Sequence, residues 1–179
     1  MGWCPVFVFM KLNKKLIWSL LIISLIGLIG LIYYNSYWLV IKEAKTGKVI
    51  WEQKLTADTK FAIKYLHSVQ QTPVWEYFKV VEGQLYLTGT KYESYGAGLP
   101  FLPQHEYIVD QGQFIIKEIN RKLANIPLRV SDYARHRLII NDQTYKLFKL
   151  TKPQNLVLIQ VEERNYLDLL VGVGGRNNG

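Results

Sequence analysis

The apolar positions of the chain fall into two regimes. From Leu16 to Tyr34 the sequence LIWSLLIISLIGLIGLIYY holds no charged residue. At 1.5 Å per residue, a helix of about nineteen such residues nearly matches a hydrocarbon core of about 30 Å, and a transmembrane signal-anchor helix is predicted over 16–34. Beyond it the apolar residues come in short runs with alternating character, separated by glycine, asparagine and aspartate. Trp38 to Lys42 and Lys48 to Lys54 flank AKTGK, the pattern of a β-hairpin. Phe61 to His67, Trp75 to Val81 and Leu85 to Thr90 predict a meander. Tyr107 to Val109 and Phe114 to Ile119 surround Gln111-Gly112, Leu138 to Ile140 and Tyr145 to Leu150 surround Asn141-Asp142-Gln143, and Leu156 to Val161 is a last strand. Only Lys117 to Asn125 and Glu163 to Leu170 admit short helices. The expected fold is mainly β, an antiparallel sandwich or small barrel built of hairpins, preceded by one transmembrane helix.

Charge orients the helix. Lys11, Lys14 and Lys15 precede the apolar run, while Asn35, Ser36, Tyr37 and Trp38 follow it. The positive-inside rule then places residues 1–15 in the cytoplasm, the helix at 16–34, a β-rich domain at 35–171 outside the cell membrane, and a loose tail at 172–179. A cleavable signal peptide is the rival reading, but Tyr33, Tyr34 and Tyr37 are bulky interfacial aromatics where a signal peptidase needs small residues. MKLNKKLIW, starting at Met10, has the form of a conventional start, so residues 1–9 are read as an extended gene start. The formal charge of +8 includes the three flanking lysines. The other basic residues are scattered between apolar neighbours, more as a solvated sheet face than as an anionic-ligand patch, and no nucleic-acid partner is expected. Cys4, the only cysteine, has no partner for an intrachain disulfide.

Candidate chemistry concentrates in residues 60–103. A first turn centred between Gln71 and Thr72 sets Ile63 opposite Val80, Tyr65 opposite Phe78 and His67 opposite Glu76. A second turn at Glu82-Gly83 sets Val80 opposite Leu85 and Phe78 opposite Leu87 on the same face, and carries Glu76 to a place opposite Gly89. The chain after Thr90 then returns to the first turn, gathering His67, Ser68, Thr72, Glu76, Tyr92, Ser94 and Tyr95 around the backbone of Gly96 and Gly98. His67 and Glu76 form either a hydrogen-bonded pair at a polar site or a rim ion pair closing the core. Ser68 follows His67 directly and faces the other way on a strand, which argues against a Ser-His nucleophile. His67, His105 and His136 are too scattered for a metal motif, and YGAGLP lacks the Lys-Ser/Thr and the helix of a phosphate loop. No metal and no cofactor is expected.

The combination YLHSVQQTPVWEYFKV, TKYESYGAGLP and IPLRVSDY resembles a bacterial family of unknown function found with tripartite ATP-independent periplasmic (TRAP) transporters of the branch that uses a TAXI-type solute receptor. The resemblance covers most of the chain beyond the anchor. It implies signature positions at His67, Ser68, Pro73, Val74, Glu76, Ser94, Gly96, Ala97, Gly98, Leu99, Pro100 and Arg129, an association with solute uptake, and no reaction. The expectation is a membrane-anchored binding or assembly module whose partner is the transporter's membrane subunit or its solute receptor. A small surface enzyme using His67 and Glu76 as an acid-base pair, and a purely structural envelope domain, are the alternatives.

Overall fold

The computed structural model describes residues 13–32, 35–93, 107–110 and 112–165. Helix α1 (Lys14–Ile32) opens at Asn13, whose Oδ1 accepts the Lys15 N–H at 3.1 Å as an N-cap. Its apolar residues lie on every side with no polar stripe, and they remain exposed, Trp18 to 66% and Ile23 to 64%. Among the described residues, no helix is long and apolar enough to cross a membrane. The two lysines at the start of α1 leave an uncharged stretch of about 25 Å, short of a hydrocarbon core of about 30 Å.

Among the described residues, twelve strands follow in two antiparallel sheets. The smaller joins β2 (Val49–Lys54), β1 (Ser36–Glu43), β12 (Leu156–Arg164) and β9 (Ile126–Arg129) in that order. The larger runs β11 (Gln143–Lys146), β10 (Arg137–Ile140), β3 (Lys60–Leu66), β4 (Pro73–Val81), β5 (Gln84–Tyr92), β7 (Gln113–Ile116) and β6 (Tyr107–Asp110), with β8 (Arg121–Leu123) on β5. Among the described residues neither sheet closes on itself, which fits the sandwich and not the barrel of the two expected architectures. The sheets share one core: Leu39, Ile41, Val157 and Ile159 of the smaller meet Phe61, Ile63, Phe78 and Leu138 of the larger. A second, smaller cluster of Val74, Tyr92 and Ile116 lies on the same face of the large sheet, toward the β3–β4 turn.

The turns explain the hairpins. Glu82 and Gly83 both take positive φ (49° and 75°), as do Asn141 and Asp142 (49° and 59°), the two-residue geometry whose twist matches that of paired strands. Positive φ also decides against the helix expected over Lys117 to Asn125. Glu118 and Asn120 adopt 58° and 46°, values that interrupt any right-handed turn, and the segment supplies β8 instead. The other expected helix is corrected as well, because Glu163 and Arg164 close β12, opposite Tyr37 and Ser36; residues from 166 onward lie outside the described residues. The strand expected over Tyr145 to Leu150 stops at Lys146. Leu147 turns into the core, fully buried, and starts a 3-10 turn (Leu147–Lys149) with its N–H on the His136 carbonyl.

On the outer face of the small sheet, Val40 is fully buried beside a charged network. Lys42 Nζ lies 2.5 Å from Glu162, Arg164 bonds Glu162 and Glu52 at 3.0 Å each, and the Arg164 guanidinium lies 5.2 Å from the Trp38 ring centre. The Lys42 and Arg164 bonds hold the Glu162 carboxyl below its ordinary range although burial alone would raise it.

Candidate functional site

The β3–β4 connection is a four-residue loop closed by His67, whose N–H bonds the Thr72 carbonyl at 2.9 Å. His67 Nδ1 accepts the N–H groups of Val69 and Gln70 at 3.3 and 3.2 Å, so the imidazole caps its own turn. Gln71 completes the turn with φ 53°. This loop is centred two residues earlier than expected. Ile63 therefore faces Glu76, Tyr65 faces Val74 and Phe61 faces Phe78. His67 stands four residues along from the Ile63–Glu76 rung, about 13 Å away. The His67/Glu76 pair expected from the sequence does not form.

A shift of two residues preserves parity, so the face assignment survives the register error. Val80 faces Leu85 and Phe78 faces Leu87, as expected. A bulge at Thr88 then moves the partner of Glu76 from Gly89 to Thr90. Glu76 consequently projects from the inner face, half-buried, between Ile63 and Thr90, separating the main core from the Val74–Tyr92–Ile116 cluster. Burial pushes its carboxyl up, partly offset by the Arg121 charge. One rung along, burial and then the Glu76 charge raise the Tyr65 phenol. The Tyr65 ring lies 5.5 Å from that of His136, which is itself 7% exposed. His136 Nδ1 accepts the Ser131 N–H at 3.3 Å, and burial lowers the imidazole pKa, keeping it neutral with its proton on Nε2. Sequence reasoning missed His136 and Tyr65 as neighbours; the alternation that pairs Lys64 with Arg137 is the signal that places them opposite each other.

The remaining expected site residues disperse. Ser68 is exposed at the turn, and its carbonyl lies 3.5 Å from the Tyr133 hydroxyl. Tyr92 is core, 1% exposed, with its ring stacked on Phe114 at 5.5 Å. Arg129 belongs to the edge strand of the other sheet, where its guanidinium holds the Gln154 carbonyl at 3.0 Å. Ser94, Tyr95, Gly96 and Gly98 lie outside the described residues. Among the described residues, no three metal-ligating side chains come together. The β3–β4 turn and the 131–136 loop instead share one end of the large sheet, joined by the Leu66 N–H to Ala134 carbonyl bond, and they expose Val69 (68%) and Tyr133 (50%).

The segment that carries all of these elements is the one that comparison picks out. Residues 61–147 match DUF1850, a domain of unknown function. The DUF1850 region spans β3 to β11, that is, nearly the whole large sheet plus β9, while β1, β2 and β12 of the small sheet lie outside it. It agrees with the expected family of unknown function and carries no link to a transporter. No curated protein and no solved structure matches the chain.

Proposed function

We propose that the protein is a membrane-tethered binding or assembly module, with its N-terminus in the cytoplasm and its β domain outside, that docks a partner through the end formed by the β3–β4 turn and the 131–136 loop. The observation that carries the tether is α1. Its described apolar side chains are exposed to water on all sides, an arrangement that costs free energy unless an apolar medium surrounds the helix. The uncharged sequence continues past Ile32 through Tyr33, Tyr34, Asn35 and Ser36, aromatics suited to the headgroup level extending the short apolar stretch. The contact surface rests on Val69 and Tyr133, two large side chains left exposed on neighbouring loops within the segment whose motifs resemble the transporter-associated family. That resemblance alone supports the membrane subunit or the TAXI-type receptor of a TRAP system as the partner.

Two experiments test the reading. The full-length chain is expected to stay with the membrane fraction through carbonate extraction, and a version lacking residues 1–34 to be released; extraction of both would remove the tether. Affinity capture from mild detergent, followed by mass spectrometry, is expected to recover a transporter subunit or receptor with the native chain and lose it with Val69→Asp/Tyr133→Asp. Recovery of neither partner, or equal recovery with both chains, would count against the docking end.

A further inference from the structure

The outer face of the large sheet carries a row of cations across adjacent strands: Lys146, Arg137 and Lys64 on β11, β10 and β3, then Lys91 on β5 beyond Trp75. Lys64 Nζ lies 4.4 Å and Lys91 Nζ 5.0 Å from the Trp75 ring centre, so one indole is flanked by two ammonium groups. Lys64 and Arg137, in the middle of the row, also line a recess of about 260 Å³ together with Tyr65, Leu66, Pro73, Ala134 and Arg135. Its charged groups are all positive. Among the described residues, none of the three cations is in an ion pair, whereas the basic residues Lys42 and Arg164 of the other sheet both are. Arg137 Nε is buried and has no hydrogen-bond acceptor, a condition it shares with Nε of the ion-paired Arg164, so it is the three cations of the recess, and not that atom, that point to an anion.

We propose that this recess binds a small, multiply charged oxyanion, a carboxylate or phosphate compound, with Arg137 and Arg135 clasping its oxygens and Lys64 turning from Trp75 toward it. Guanidinium groups present paired donors to such oxygens, and three cations match a ligand of two or three negative charges. The recess volume lies just under the range of about 300–1,000 Å³ typical of drug-sized ligands, which restricts the ligand to small molecules. Leu66, Pro73 and Ala134 give it an apolar wall against which a carbon skeleton can lie. Ala134 and Arg135 of the recess also belong to the 131–136 loop of the proposed docking end, but binding of a small anion needs neither the tether nor a docked protein.

Calorimetric titration of the full-length chain in neutral detergent, with citrate and separately with inorganic phosphate, tests it. Saturable one-to-one binding is expected with at least one probe; citrate alone would assign a carboxylate ligand and phosphate alone a phosphate compound. Arg135→Gln, at an exposed position that leaves the fold intact, and Arg137→Gln are each expected to weaken binding by about tenfold or more. Lys79→Gln, on the same face but about 13 Å along β4 from Trp75, is expected to leave it unchanged. Absence of saturable binding with either probe up to about 1 mM would overturn the proposal. So would equal weakening by Arg135→Gln and Lys79→Gln, because the attraction would then belong to the whole face.

Discussion

Glu76 and His136 titrate in opposite senses on the inner face of one sheet. Burial raises the Glu76 pKa, so the folded chain holds this proton at a pH where the unfolded chain has lost it, and stability falls as pH rises above the ordinary glutamate range. Burial lowers the His136 pKa, so the unfolded chain takes up a proton that the folded chain refuses, and stability falls as pH drops below the ordinary histidine value. Glu76→Gln is therefore expected to melt higher than the native chain at pH 7 by a few degrees, with the difference shrinking toward pH 4.5 in circular-dichroism melts; a constant or reversed difference would show that Glu76 is not strained by burial. Glu162→Gln should act oppositely. It leaves Lys42 and Arg164 without their shared carboxylate and is expected to cost about 2 kcal/mol at neutral pH by denaturant unfolding. At this scale the face of each residue was legible because strand parity is robust to a slip of two. The partner of His67 was not, since it depends on the imidazole capping its own turn, which no hydrophobic pattern records.

Strand β5 changes neighbours along its length. Leu85 to Leu87 pair with β8, Thr90 to Tyr92 pair with β7, and the bulge at Thr88 marks the change. Gly89 permits it: a Cβ there would lie 2.8 Å from the Ile116 carbonyl oxygen, a backbone atom that can move only by breaking the ladder. Gly89→Ala is expected to destabilise the domain by about 1–3 kcal/mol and to speed amide exchange along β7 relative to β3; normal exchange there would show that the close approach is unimportant. The hairpins around AKTGK, Glu82-Gly83 and Asn141-Asp142 were legible from turn chemistry. Strands β8 and β9 were not, because each has only three or four residues and the turn before them is set by Glu118 and Asn120 in positive φ, without a glycine to announce it.

The two sheets are divided unequally between the DUF1850 region and its flanks. The region supplies one wall of the core and the flanks supply Leu39, Ile41, Val157 and Ile159 of the other. A fragment limited to residues 58–150 is expected to lack cooperative thermal unfolding, whereas residues 35–165 retain it; a folded short fragment would mean that the large sheet closes its own core. The β class and antiparallel pairing were legible from alternation and turns. The division into two sheets was not, since it depends on which distant strands meet. Strand β1 shows what that demands of a growing chain. It pairs early with β2 along one edge, but its other edge awaits β12, and Ser36 meets Arg164 128 positions later. At about 5–20 residues per second, that edge stays open for about 6–25 s during synthesis, an interval in which Leu39, Val40 and Ile41 are available to any other strand nearby.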